Sequence, residues 1–212
     1  LVAVGGALVG GARLVLASKF SVSTFWDDIR RDGVTVVFYV GELCRYLLRS
    51  EPAPAEDRHP VRLFVGNGLR PHIWKRLMER FGPLRVLEFY GSTEGNVALV
   101  NLTGEKVGSV GRQIMGASPL ELVQYDPEQE DFVRDVDGFL VPVEEDQPGV
   151  LIGQILSDGV MAQFDGYTDV SSTNAKTLRN VFEEGDAWFN TGDLLRCDAD
   201  GDLDVVRARL GR

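Results

Sequence analysis

The stretch VRLFVGNGLRPHIWKRLMERFG, residues 61–82, holds a complete strand, loop and helix. VRLFV is an apolar run of strand length, GNG releases the chain into a loop, and Pro71 suits a first helical position, where its missing N–H leaves no bond unmade. Ile73, Trp74, Leu77, Met78 and Phe81 then recur at helical spacing, and Gly82 ends the helix. A continuous apolar strand running straight into an amphipathic helix is the repeating step of a parallel sheet covered by helices.

The same step recurs on both sides. VTVVFYV (34–40) leads into GELCRYLLRS (41–50), where Leu43, Cys44, Leu47 and Leu48 share a face. Upstream, the apolar run ARLVLA (12–17) reads as a strand before SVSTFWDDIRRDG (21–33), with Phe25, Trp26 and Ile29 on one face and Gly33 as the stop. LRVLEFY (84–90) supplies a fourth strand. Beyond residue 97 the helical period fades into short strands: VALVN, KVGSV, LELVQY, GFLVPV, GVLIGQI, and the pair AWFNTGDLLRC and DLDVV joined by a DADG turn. The expected fold class is α/β, a largely parallel sheet layered with helices, followed by a β-rich, barrel-like subdomain. The expected division is residues 1–96, then 97–206, with 207–212 opening a hinge.

At 212 residues, 44% of them hydrophobic, the chain can bury a substantial core. Its net charge of −10 argues against nucleic acid as a partner. The first 120 residues carry fifteen Lys/Arg against eleven Asp/Glu, whereas residues 121–146 hold ten acids and one base. The runs DPEQED (126–131) and EEDQ (144–147) read as solvated hairpin tips, since they lack the spaced acids and central Gly of a calcium loop. SEPAPAEDRHP (50–60) reads as a flexible surface loop, and His59 and His72 as surface or cap residues. Lys75, Arg76 and Arg80 read as a solvated helix face, with contact to a membrane surface as the rival. The two cysteines, Cys44 and Cys197, have no metal-type spacing. The opening LVAVGGALVGGARLVLA is too short and too rich in glycine to span a bilayer and lacks the marks of a signal peptide, so the chain is expected to begin inside a domain.

Parallel sheets gather ligand loops at the carboxyl ends of their strands, and three loops fall there: YVGE, GNGLR and YGSTEGN. In YGSTEGN (90–96), Gly91 and Gly95 allow close backbone approach, Ser92 and Thr93 offer hydroxyls to phosphate, Glu94 offers oxygen to Mg2+, and Tyr90 offers a face to a base. An Asp after a Gly, as in NTGD (190–193), can accept from the two hydroxyls of a ribose. Each loop alone also reads as a plain turn. Their combination favours a nucleotide.

The blocks YVGELCRYLL (39–48), VGNGLRPHIWKRLMERFG (65–82), EFYGSTEGN (88–96), VGSVGR (107–112), FDGYTD (164–169) and LRNVFEEGDAWFNTGDLLRCDADG (178–201), with a trace at RLGR (209–212), resemble an adenylate-forming acyl-CoA synthetase of the very-long-chain acyl-CoA synthetase and fatty-acid transport branch. The resemblance implies ATP-dependent activation of a fatty acid through acyl-AMP, then transfer to coenzyme A. It implies that Gly66, Asn67, Gly68 and Leu69 flank the adenine, that Tyr90 stacks on it, that Gly91 and Ser92 bind the nucleotide, and that Thr93 contacts phosphate. Glu94 would hold Mg2+, Asp193 the ribose hydroxyls, and Arg209 the nucleotide near the hinge, with Thr93 and Glu94 as the catalytic pair. Tyr39 and Glu42 would line the acyl site, although an ordinary helix-start Glu fits Glu42 equally. The hinge departs from the family pattern, with Ala208 and Arg212 where aspartates are expected. The phosphate loop and the C-terminal lid of the family lie outside this sequence, so the segment alone is expected to be inactive. The implied location is cytoplasmic or peripheral on the cytoplasmic face of a membrane. Fatty-acid uptake and a non-catalytic nucleotide-binding remnant are the rival functions.

Overall fold

The computed structural model describes residues 2–91, 96–156 and 175–207. The chain forms two compact units, one of Leu1–Glu88 with Leu102–Gly108, the other of Phe89–Asn101 with Ser109–Arg212.

In the first unit, helices α1 (Val2–Val9), α2 (Phe25–Asp32), α3 (Gly41–Arg49) and α4 (Pro71–Phe81) alternate with strands β1 (Val36–Val40), β2 (Leu63–Asn67) and β3 (Arg85–Gly91). The three strands are parallel, with Val37 opposite Phe64 and Phe64 opposite Val86. The punctuation acts where the sequence puts it. Gly33 caps α2 in the left-handed region at φ 63°, and its N–H returns to the α2 carbonyls. Pro71 opens α4, and Gly82, at φ 90°, closes it. The core joins Trp26 and Ile29 of α2, Cys44, Leu47 and Leu48 of α3, Trp74, Leu77 and Phe81 of α4, and Phe64 and Val86 from the strands. Met78, counted on the buried face, lies on its exposed edge.

Two expectations fail in this unit. Residues 12–17 form no strand and are exposed; the apolar helix there is α1, earlier in the chain, and it buries no residue. Segment 50–60 is not a free loop. Arg80 reaches it with a bidentate bond to Glu56 at 2.7 and 2.9 Å and also donates to the carbonyls of Leu48 and Ser50, so it is not a solvated cation either. His59 stacks on Trp26 at 4.6 Å, accepts the Val61 N–H at Nδ1, and places Nε2 at 2.9 Å from the Phe81 carbonyl. That pattern makes Nε2–H the donor and gives the ring a structural role.

The second unit is antiparallel. Strand β4 (Ala98–Asn101) pairs β5 (Arg112–Gln113); β6 (Leu120–Val123) pairs β9 (Pro148–Gln154); β7 (Tyr125–Asp126) pairs β8 (Asp131–Phe132); and β11 (Ala187–Cys197) lies between β9 and β12 (Leu203–Arg207), with β10 (Thr177–Arg179) also along it. Among the described residues the β10-β11-β9-β6 order shows no closing pair, so the expected barrel is not seen there. KVGSV and GFLVPV, read as strands, are a turn and a pair of isolated bridges at Leu140 and Pro142. Ser109, fully buried, explains the first of these. Its hydroxyl donates to the Leu203 carbonyl at 2.8 Å and accepts the Gly111 N–H at 2.9 Å, replacing ladder bonds with a side-chain brace.

Gly41 is one of the places where the first unit admits no side chain. A Cβ there would stand 1.9 Å from the Gly68 carbonyl oxygen, a backbone atom with nowhere to retreat. Gly41→Ala is expected to destabilise the chain by about 1–3 kcal/mol. Gly5→Ala, in open space on α1, should be neutral or slightly stabilising. Denaturant midpoints of the two variants check the contrast.

Candidate nucleotide-binding site

In the first unit the GNGLR loop leaves the carboxyl end of β2 and is anchored by a residue that motif reading passed over. Glu88 on β3 stands opposite Gly66 in the parallel register and is 2% exposed. Its carboxylate accepts the Gly68 N–H at 3.1 Å, the Leu69 N–H at 3.0 Å, and the Tyr39 hydroxyl from β1. The two amides belong to residues beyond the β1–β2 and β2–β3 registers and before α4, so one anion satisfies donors that secondary structure leaves unpaired. Burial pushes the Glu88 carboxyl up to about 7, against the opposing pull of Tyr39 and the two amides. The signal available in the sequence was the alternation of LRVLEFY: with Leu84 and Val86 facing the core, Glu88 had to follow them in.

Of the loop residues expected to flank an adenine, Gly66 and Leu69 are buried, whereas Asn67 and Gly68 are exposed. Gly66 lies against Tyr39, and Gly68 holds φ 75°. Tyr39 and Glu42, assigned to the acyl site, have different surroundings. The Tyr39 ring is 5% exposed, packed against Phe64, and committed to Glu88, with its hydroxyl pKa driven up by burial and by that carboxylate. Glu42 is exposed at the start of α3 and paired with Arg45, whose guanidinium holds its carboxyl below the ordinary value.

In the second unit Tyr90 and Asp193, 103 residues apart, meet. The Tyr90 hydroxyl donates to Asp193 Oδ2 at 2.6 Å, and burial followed by this bond drives the phenol pKa up, so it stays a donor. NTGD is not a hairpin turn. It is a bulge inside the eleven-residue β11: Asn190 faces Ile152 and Leu194 faces Val150, so residues 191–193 stand against Leu151 alone. The bulge is held from within. Asn190 Oδ1 accepts the Gly192 N–H at 2.9 Å; Thr191 Oγ1 donates to the Leu151 carbonyl and accepts the Asp193 N–H at 3.1 Å; Gly192 takes φ 75°. Lys176 Nζ donates to the Thr191 carbonyl at 3.3 Å. A bulge re-aims side chains, and this one presents a fixed, half-buried carboxylate.

Gly91 ends β3 at a point where a Cβ would meet the Val97 carbonyl at 2.9 Å. Asn96 is 4% exposed, and its Nδ2 donates to the Gln154 carbonyl at 2.5 Å. Ser92, Thr93, Glu94, Arg209 and the FDGYTD block lie outside the described residues.

The AMP-binding enzyme family matches residues 1–162. This chain belongs to that family. Long-chain fatty acid transport protein 5 of Homo sapiens is 46% identical over 214 residues, covering 100% of this chain and 30% of that protein. Long-chain fatty acid transport protein 1 of Homo sapiens is 44% identical over 201 residues, covering 93% of this chain and 31% of that one. The chain thus spans about a third of the length of the curated relatives it matches. Two neighbours of known structure show the fold: ATP-bound MatB from Rhodopseudomonas palustris, at TM-score 0.71, 21% identity, 98% of this chain and 37% of that one, and a benzoate CoA ligase from Burkholderia xenovorans LB400, at TM-score 0.68, 21% identity, 95% and 37%.

Glu88 gives the stability of this AMP-binding family member a testable pH dependence. Its folded pKa of about 7 lies above the ordinary 4.5, so between those values the folded chain holds a proton that the unfolded chain has released. Stability from this group is therefore full below about pH 4.5 and falls as pH rises toward 7, by up to about 3 kcal/mol. Denaturation midpoints measured across that range should show the fall in the native sequence and a flatter profile in Glu88→Gln.

Proposed function

We propose that the parent protein is a long- or very-long-chain fatty-acyl-CoA ligase, that this chain carries much of its adenylate site, and that it acts in the cytoplasm or at the cytoplasmic face of a membrane. The observation that carries the reading is the Tyr90–Asp193 pair on a preformed bulge, in a chain whose family and relatives are AMP-binding enzymes and fatty acid transport proteins. A fixed carboxylate accepts from a ribose diol, and an aromatic ring bonded to it can lie along the attached base. The residues present fit a nucleotide: Asp193 would take the ribose hydroxyls, Tyr90 and the backbone of Gly66–Leu69 the adenine, and Gly91 through Thr93 the phosphates. Glu94 would hold Mg2+, which supplies charge neutralisation at the phosphates when bound. Arg209 would reach the nucleotide from the hinge side. The chain's contribution is positioning and charge, which is what carboxylate adenylation requires of a protein. The family's remaining phosphate contacts and its lid are supplied by sequence outside these residues, so residues 1–96 and 97–206 are read as two parts of one large domain and 207–212 as the start of its hinge.

A second reading, fatty-acid uptake, is favoured by the names of the relatives. No helix among the described residues is long and apolar enough to cross a membrane. On the ligase reading, uptake follows from trapping the acid as its thioester.

Calorimetry with Mg·ATP on the chain should give saturable heat that Asp193→Ala removes. In the full-length protein, fatty-acid-dependent exchange of pyrophosphate into ATP should fall more than tenfold, over ~1.4 kcal/mol in barrier, in Glu94→Ala. A chain without saturable binding would leave the remnant reading standing, and unimpaired exchange would remove Glu94 from the metal.

A further inference from the structure

The adenine-flanking loop is held by a group that can lose or gain a proton near neutrality. Gly68 and Leu69 present their N–H groups to one carboxylate, and that carboxylate is sealed: Glu88 is 2% exposed, with Tyr39 bonded to it from β1 and the Cys44 thiol of α3 in its surroundings. Gly68 and Leu69 bond to different oxygens, Oε2 and Oε1. A carboxylate accepts strongly at both; a protonated acid keeps only the weaker acceptor of a hydroxyl on one of them, and an amide has no acceptor there and must turn its NH2 against an N–H. The loop has little freedom to absorb that, because Gly41 touches the Gly68 carbonyl and Gly66 touches the Tyr39 backbone.

We propose that Glu88 is a positioning residue of the nucleotide site, whose carboxylate fixes the Gly68 and Leu69 backbone in the conformation that receives an adenine, so that nucleotide affinity rises as Glu88 loses its proton. The proposal rests on the nucleotide-binding reading above. Burial puts the transition at about 7, with Tyr39 and the two amides pulling it down. Cys44, fully buried and pushed up to about 12, stays a neutral thiol throughout, and Tyr39 stays a neutral phenol, so Glu88 is the group that changes charge. In the ionised form both loop bonds are charge-assisted and at their strongest.

The test follows two signals in the chain from about pH 5.5 to 8.5: the backbone amide resonances of Gly68 and Leu69 in nitrogen-labelled protein, and the affinity for AMP by calorimetry. AMP has a titrating phosphate of its own, so affinity is read as the ratio of native sequence to Glu88→Gln, in which the ligand's protonation cancels. The expected result is that both amides shift together with a midpoint near pH 7, that the shift is absent in Glu88→Gln, and that the affinity ratio grows by about tenfold across the range, the equivalent of ~1.4 kcal/mol. Tyr39→Phe provides a second handle should Glu88→Gln not fold. Removing the phenol bond, which holds the Glu88 pKa down, should move the amide and affinity midpoints upward together. Amides that do not titrate, or an affinity ratio flat with pH, would overturn the proposal and leave Glu88 a purely structural residue. Titrating amides in a chain that binds no AMP at any pH would also overturn it, while identifying the nucleotide reading as the part that failed.

Discussion

A single buried carboxylate sets the geometry of the first unit. Glu88 collects the phenol of β1 and the two amides that leave β2, and so ties the ends of both strands to the middle of β3. Desolvation makes such a group costly unless its bonds are made, and the same cost penalises every arrangement of the loop that leaves it unpaired. The tight glycines follow from this. With the Gly68 amide held to Glu88, its carbonyl is directed at Gly41, and α3 can begin there only without a Cβ. The start of α3, the GNGL loop and the Tyr39 ring are therefore one interlocked arrangement.

The second unit solves a related problem without burying an acid so deeply. Strand β11 must give up ladder bonds with β9 to present Asp193, and Asn190 and Thr191 supply replacements from their own side chains. Asn, Thr and Gly suit such a bulge, since the first two have side chains that mimic backbone partners and the third accepts a positive φ. The motif NTGD thus encodes its own scaffold, with the carboxylate last.

Signals that depend on neighbours in sequence were legible. Gly33, Pro71 and Gly82 mark helix ends through local backbone geometry, and α2, α3 and α4 fall where the periodicity puts them. What was missed depends on partners far along the chain. ARLVLA is apolar enough for a strand, yet a strand needs a neighbouring ladder, and none pairs with it among the described residues. Arg80 looks like a surface cation until Glu56, 24 residues earlier, closes on it. VGSVGR has strand composition, but the buried Ser109 bonds Leu203, 94 residues away, and turns it into a brace. At the candidate site, the identities of Tyr90 and Asp193 could be read from motifs, whereas their bond, the bulge behind it and the part played by Glu88 required the register of strands distant in sequence.

The acidity of the chain has a local use. The acids of residues 121–146 read as solvated tips, but several act on the backbone. Asp126 accepts the Glu128 and Gln129 N–H groups, and Asp135 those of Asp137 and Phe139. Further on, Asp198 accepts from Asp200 and Asp202, while Asp186 gathers Val181, Phe182, Glu183 and the Trp188 indole. Burial pushes the Asp186 carboxyl up, and those four donors together bring it below the ordinary value. A β-rich unit with many reversals must satisfy the amides that its turns expose, and aspartate does so within a few residues of itself. Much of this negative charge is thus directed locally at backbone N–H groups. Glu88 is the extreme member of the same set: the longer side chain reaches across strands, and burial, which at Asp186 is outweighed by the donors, prevails there.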